Sequence, residues 1–369
     1  RDVLTMRSGL GFFQQAISQL QMFQSTDWAQ YCLNVKAVRK PGLFFEYFNG
    51  NPHLLSAAIT ESTGKPADEI ARDEIFRPVS ISDYAWPRDP QGISWGWGDL
   101  RLSSEAMARL GLLLLHHGRW DGKEVISQKW IDDLTTPHVK GTGNKRFPNY
   151  GYQVWLNDSV IAFNGRGGQR IWVVPKLDLV FVTTAGASRA KQSVVDDLLT
   201  RFVLPAAHDA ELAENPDATA RIRQLTEQAL QPPTPQPTPD LSDLARSMDG
   251  IRFDMTPNPY ANSIRISFPS RDEARLEIEL PKIHRSPNLD LRVGLDGVPR
   301  FTPARNGELA ALTGKWAGNT FEIDFDELAN INHWKMKLAF ESAESFKLDM
   351  TEGTELPPVR AKGTARKEK

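Results

Sequence analysis

Residues 169–184 read Gln169-Arg170-Ile171-Trp172-Val173-Val174-Pro175-Lys176-Leu177-Asp178-Leu179-Val180-Phe181-Val182-Thr183-Thr184. Two runs rich in β-branched and aromatic residues flank Pro175-Lys176. That pattern predicts strands over Gln169–Val174 and Leu177–Thr184 with a turn between them. Ser159–Phe163 predicts a third strand just upstream. Val194–Phe202 predicts a helix packing on the sheet. Before Tyr150 the period is helical. His53–Thr63 places Leu54, Leu55, Ala58 and Ile59 at helical spacing, and Gly64 suits the position after the last turn. Pro66–Phe76 predicts a second helix with proline near its start. Ser103 is a candidate cap for a third, with Met107, Leu110 and Leu114 as its buried stripe and His116, His117 and Gly118 as its end. Helices, then an antiparallel sheet, then a helix indicate an α+β or mixed α/β fold, an antiparallel sheet flanked by helices.

Beyond this region the composition changes. Gln231-Pro232-Pro233-Thr234-Pro235-Gln236-Pro237-Thr238-Pro239 predicts a stiff, extended linker, preceded by a polar helix over about 209–230. The expected organisation is a first domain over 1–207, a helix and linker over 208–240, and a β-rich accessory domain over 241–369. In the last of these, Ser263–Phe268, Arg275–Leu280, Leu289–Val293, Thr320–Phe325 and Trp334–Phe340 alternate on a period of two. Short strands at near-regular spacing predict a small antiparallel sandwich or barrel. Val359–Lys369 is basic and poor in apolar residues, and is expected to be a frayed, disordered tail.

The formal net charge of −2 leaves no electrostatic footprint for nucleic acid. The longest apolar stretch, Leu110–Leu115, is far short of a membrane span. A single cysteine, Cys32, excludes an intramolecular disulfide and a cysteine-based metal cluster. The seven histidines show no His-Glu-x-x-His spacing, and no phosphate-cradling glycine motif occurs, so neither a metal nor a nucleotide cofactor is expected. Gly92-Ile93-Ser94-Trp95-Gly96 fits the spacing of a nucleophile elbow, but turn-like residues precede it and no helix is predicted directly after it. Ser62/Lys65 and Ser188/Lys191 have the Ser-x-x-Lys spacing. One pair lies at a helix end and the other in a small-residue loop, where chance spacing explains both.

Pro41-Gly42-Leu43-Phe44-Phe45-Glu46-Tyr47-Phe48-Asn49-Gly50-Asn51-Pro52-His53-Leu54-Leu55 is more specific. It resembles a characteristic block of the serine β-lactamase-like hydrolases: class C β-lactamases, related esterases, DD-peptidases and 6-aminohexanoate-dimer hydrolases. Further blocks follow in the family's order. They are Leu4–Leu10, Leu102–Gly111, His117–Gly122, Tyr150–Trp155 and Gly165–Gln169, and the resemblance covers residues 1 to about 205. It implies the family's transpeptidase-like fold. It also implies that Tyr47 is the catalytic proton shuttle and that Asn49 hydrogen-bonds the substrate. Arg166-Gly167-Gly168 falls where relatives carry Lys-Thr-Gly or His-x-Gly, and the N–H of Gln169 becomes half of an oxyanion hole. A phenol near pKa 10 then needs a cation beside it, and Arg166 is available for that or for a substrate carboxylate. Without the surrounding match, Tyr47 also reads as a core tyrosine with a satisfied hydroxyl, and Arg166 as a surface arginine on a hairpin.

The family's nucleophile, the serine of Ser-x-x-Lys, precedes the Leu4–Leu10 block. The chain opens at Arg1 directly into that block, so a fragment or processed product is expected, with no acyl-enzyme formed by the chain alone and an apolar sheet edge left open. Three functions follow. The first is a parent serine hydrolase acting on a small molecule or peptide with an amide or ester bond. The second is a non-catalytic ligand-binding relative, and the third an esterase using Ser94. The resemblance favours a periplasmic or secreted location.

Overall fold

Six antiparallel strands form a meander in which each strand pairs with the next. They are β1 (Val139–Lys140), β2 (Asn149–Tyr150), β3 (Trp155–Leu156), β4 (Ile161–Asn164), β5 (Arg170–Val174) and β6 (Leu179–Thr183). The computed structural model describes the chain apart from residues 12–20, 38, 189–190, 209, 212, 283–286, 305–307, 329, 354–356 and 368–369. It divides into two units, Arg1–Thr184 and Ala185–Lys369.

The strands β4, β5 and β6 occupy the three runs read from the sequence. The Pro175–Leu177 turn between the last two ends on Asp178 in the left-handed region. β1, β2 and β3 are two residues each, too short for an alternating pattern to show. Helix α1 (Trp28–Asn34) is capped by Asp27, which accepts from the Gln30 N–H at 2.8 Å. Helix α2 (Gly50–Thr63) starts three residues before the expected His53 and ends at Gly64, φ 72°. Helix α3 (Ala67–Ala71) follows Pro66 and continues through a wider turn, Arg72–Phe76. Helix α4 (Ser104–Leu115) is capped by Ser103, whose Oγ accepts from the Ala106 N–H at 3.1 Å. Helix α5 (Gln128–Thr135) is capped by Ser127 in the same way.

The buried face of α4 differs from the expected stripe. Ala106, Gly111, Leu113 and Leu114 are buried, while Met107 and Leu110 are only half-buried. A Cβ on Gly111 would stand 2.5 Å from Val180 and 3.0 Å from Ile171. Glycine therefore lets the helix close onto β5 and β6, and the close approach turns Gly111 rather than Leu110 inward.

In the second unit, helix α6 (Gln192–Leu198) continues through a wider turn, Leu199–Val203, where a helix was expected. Helix α7 (Pro216–Leu230) buries none of its residues. The proline-rich segment after it is anchored. The Gln236 N–H donates to Asp296 O at 2.8 Å, and Arg271 donates to Thr238 O at 2.6 Å and pairs with Asp240 at 3.3 Å. The short helix α8 (Asp243–Ser247) follows.

The rest is a barrel. Its strands are β7 (Arg252–Met255), β8 (Ser263–Ser270), β9 (Glu273–Glu279), β10 (Leu289–Gly294), β11 (Arg300–Pro303), β12 (Leu309–Ala317), β13 (Thr320–Glu327), β14 (His333–Ser342), β15 (Ser345–Glu352) and β16 (Val359–Ala365). Nine of them close in the order β10-β9-β8-β7-β16-β15-β14-β13-β12, sealed where Gly294 of β10 meets Thr313 of β12; β11 pairs outside the ring on β12. Closure removes the free edges an open sheet would expose. Alternation sends Ile264, Ile266, Leu276, Ile278, Phe321 and Ile323 inward to one apolar core.

The tail is a correction to the sequence reading. Val359–Ala365 is a strand paired with both β15 and β7. Its basic residues point outward: Arg360 pairs with Asp349 and Lys362 with Glu341. Alternating charges on the wet face of a barrel strand give the low apolar content of a frayed end. Among the described residues no helix is long and apolar enough to cross a membrane.

Candidate active site

Tyr47 belongs to an extended segment, residues 45–48, that leads into α2. The segment is tied down where the Glu46 N–H donates to Met6 O at 2.9 Å. Phe45 packs edge-on against Tyr150 (5.1 Å) and Trp155 (5.8 Å). Tyr47 stacks on the same Trp155, centroids 5.6 Å apart at 23°. Tyr150 meets that indole edge-on at 5.0 Å. One tryptophan of β3 thus fixes the ring of the candidate proton shuttle.

The electrostatics of this phenol differ from the sequence expectation. Tyr47 is 41% exposed, yet loss of water around its hydroxyl pushes its pKa above the ordinary value. Among the described residues no cation offsets that rise. Tyr150 is 2% exposed, and its pKa is pushed well above the ordinary range, first by burial and then by the nearby Tyr47.

Asn49 stands at the N-cap of α2, a place where asparagine normally accepts from the helix N–H groups. Here it has helical φ/ψ and its side chain makes no capping bond. The residue is half-buried at the start of the helix.

Arg166, Gly167 and Gly168 form the turn between β4 and β5. Gly167 has φ 80° and Gly168 φ 98°, conformations that side-chain-bearing residues adopt at a cost. Both glycines are buried, whereas Arg166 is exposed. The turn is clamped from both sides. Thr183 Oγ1 donates to Gly168 O at 2.8 Å, and Gly165 N–H donates to Gln169 O at 2.9 Å. Sequence reading missed the main clamp, Arg170. It is 5% exposed and donates to Gly165 O (2.7 Å) and Gln169 O (2.9 Å). Alternation in a strand hides such a role, because Arg170 reads as one polar residue before an apolar run.

Register connects the two halves. Trp155 faces Ala162 across β3 and β4, β4 ends at Asn164, and the turn starts at Arg166. At about 3.3 Å per residue and ~4.8 Å between strands, the turn starts within ~18 Å of Trp155, toward the same end of the sheet. Tyr47, stacked on Trp155, therefore lies toward the sheet end that carries the Arg166–Gln169 turn.

The other candidate serines fall away. Ser94 is fully buried; its Oγ donates to Asp68 Oδ1 at 2.7 Å and accepts from the Asp68 N–H at 3.0 Å. Arg88 closes over Asp68 with two bonds, 3.0 and 2.7 Å. The segment bridges back to Arg88 and no helix follows it, so Ser94 is a structural node rather than an elbow nucleophile. Ser62 lies in the last turn of α2, where its Oγ donates to Ile59 O at 3.1 Å, and Lys65 follows Gly64. Ser188 lies in irregular chain.

The Beta-lactamase family model matches residues 1–204. The chain belongs to the beta-lactamase family. In this family of serine hydrolases, the Tyr-x-Asn block and the glycine turn fall within the matched region. Among solved structures, a Bacillus anthracis protein described as a 6-aminohexanoate-dimer hydrolase is 22% identical, with 54% of this chain and 59% of that chain covered and a TM-score of 0.45. The chain therefore spans less than two thirds of that protein. A beta-lactamase from Mycobacterium bovis is 17% identical over 55% of this chain and 73% of that chain, TM-score 0.40. An octameric penicillin-binding protein homologue from Pyrococcus abyssi is 13% identical over 98% of this chain and 77% of that chain, TM-score 0.42. No curated protein matches this beta-lactamase family member.

Proposed function

We propose that the chain carries the phenol-and-turn half of an acyl-serine hydrolase site acting on an amide or ester, and that the Ser-x-x-Lys nucleophile is not among these 369 residues. The Tyr47 phenol, stacked on Trp155 toward the sheet end that carries the clamped diglycine turn, carries this reading, and an Asn49 amide that caps no helix N–H supports it. The burial of Ser94 and the helix-end position of Ser62 support placing the nucleophile elsewhere.

In this reading Tyr47 begins as a phenolate: the serine oxygen attacks the substrate carbonyl and its proton passes to the phenolate oxygen. Tyr47 then gives that proton to the departing amine or alcohol, and water reverses the sequence to free the acid. Desolvation raises the phenol, so by itself it stays protonated and cannot take the serine proton. The ammonium of the Ser-x-x-Lys lysine beside it favours the phenolate, and that cation is what makes Tyr47 the base. Arg166, exposed on the turn, meets a substrate carboxylate.

A second reading, a ligand-binding relative without chemistry, is favoured by one observation: the phenol is shifted up rather than activated. A fluorophosphonate probe separates the two. The 369-residue chain remains unlabelled in both. Extended by its upstream coding sequence, the hydrolase is labelled at a Ser-x-x-Lys serine and Tyr47→Phe slows labelling at least ~100-fold. Labelling of Ser94, or an extended protein that stays unlabelled, overturns the hydrolase reading.

A further inference from the structure

The first turn of α2 carries a buried imidazole that the site chemistry does not use. His53 lies four residues after Asn49 and is fully buried. Its Nε2 faces Asp89 Oδ2 at 3.2 Å. The other Asp89 oxygen accepts from the Gln91 N–H (2.8 Å) and the Ile93 N–H (2.9 Å), so one carboxylate folds its own loop and holds the helix. Two more contacts run along the same side of α2. Ser56 Oγ donates to Ser94 O at 2.7 Å, and Gly96 is seated so close to Pro52 that a Cβ would meet its carbonyl oxygen at 2.0 Å. The loop 89–96 therefore acts as a rail for the helix that presents Tyr47 and Asn49.

The far side of the ring is different. Among the described residues, buried His53 Nδ1 has no hydrogen-bond partner. The indoles of Trp97 (5.3 Å) and Trp28 (5.8 Å) lie against the imidazole. The charged groups facing the ring are Asp89 from the rail loop and Asp27 from the cap of α1. With Nε2–H donating to Asp89, a neutral ring leaves Nδ1 as a bare acceptor, which a buried site tolerates at modest cost. A protonated ring adds an N–H at Nδ1, which has no hydrogen-bonding partner among the described residues.

We propose that His53 is a positioning residue: its neutral imidazole, gripped by Asp89, seats the Tyr47–Asn49 turn against the rail loop, and protonation releases that turn. The functional consequence rests on the hydrolase reading, while the conformational statement stands apart from it. Burial lowers the pKa of this imidazole more than Asp89 and Asp27 raise it, so release falls on the acid side of the ordinary value of about 6.5.

Hydrogen–deuterium exchange of the intact chain, followed by peptide, tests this across the acid range after correction for intrinsic exchange. In the wild type, peptides covering residues 43–55 and 87–97 gain exchange several-fold below the transition, while barrel peptides stay protected. His53→Gln, a neutral side chain that still offers an N–H to Asp89, keeps the high-pH protection and loses the transition. His53→Phe fills the space without a donor and is exchange-competent at every pH. The proposal is overturned if wild-type exchange in these peptides does not change with pH, if His53→Gln shows the same transition, or if all peptides lose protection together. Repeating the titration in Tyr47→Phe separates this from the hydrolase reading: the transition persists whether or not Tyr47 shuttles protons.

Discussion

The phenol ring of Tyr47 lies on the indole of Trp155, with centroids 5.6 Å apart and planes inclined by 23°. The contact joins the segment before α2 to the short strand β3. It also shields one face of the phenol from water, a part of the burial that raises its pKa. Trp155→Ala readmits water, so the Tyr47 titration moves down toward ~10. Alkaline difference absorbance reads this, with Tyr47→Phe identifying the transition that belongs to residue 47. A Tyr47 transition unchanged by Trp155→Ala contradicts the assignment.

The diglycine turn is a backbone requirement. Gly167 and Gly168 have φ of 80° and 98°, so Gly167→Ala and Gly168→Ala each cost about 1–2 kcal/mol. Urea unfolding of the two variants should show that loss, with the slope unchanged. Variants as stable as the wild type mean that the turn has another conformation.

Arg170 holds the turn through two carbonyls. Arg170→Ala strands Gly165 O in a nearly closed site, while Gln169 O keeps the Gly165 N–H, and costs about 1–3 kcal/mol. Both bonds leave one nitrogen, Nη1, so a lysine ammonium with several N–H donors can serve both carbonyls, and Arg170→Lys recovers more than half. Thermal unfolding orders the three proteins as wild type, lysine, alanine. A lysine variant no better than alanine removes the argument that one donor nitrogen holds the turn.

Acid should weaken the fold through His53. The folded imidazole has a lowered pKa, so unfolding takes up a proton between the folded value and the unfolded value near 6.5. The stability it contributes is complete above that unfolded value and is lost as pH falls toward the folded one. Urea midpoints measured from about pH 7.5 down to about pH 5 should fall in the wild type and fall less in His53→Gln. Parallel curves for the two proteins count against a depressed His53.

Much of the fold was legible because single residues fix it locally. Ser103 caps α4 through one hydrogen bond, and Gly64 ends α2 in a left-handed conformation. The long alternating barrel strands showed their inward sets directly. What the sequence hid was set by distant partners. Gly111 faces inward only because β5 and β6 come close enough to need it. Val359–Ala365 is a strand because its outward cations find Asp349 and Glu341. Tyr47, Asn49 and the Arg166–Gln169 turn were singled out through a family block. Trp155, Arg170 and the His53–Asp89 pair were not, since their roles lie in contacts between segments far apart in sequence.

The measurement that bears most directly on the site is a cross-link between its two halves. With Cys32→Ser removing the one native thiol, cysteines placed at Tyr47 and Arg166 are offered bis-maleimides of increasing reach. The account predicts an intramolecular bridge with a reagent spanning at most ~24 Å, the reach of the Tyr47–Trp155 stack, one strand spacing and four strand residues taken together. Failure to bridge at that length, with closure only by much longer reagents, places the phenol and the guanidinium on separate surfaces and contradicts a shared site.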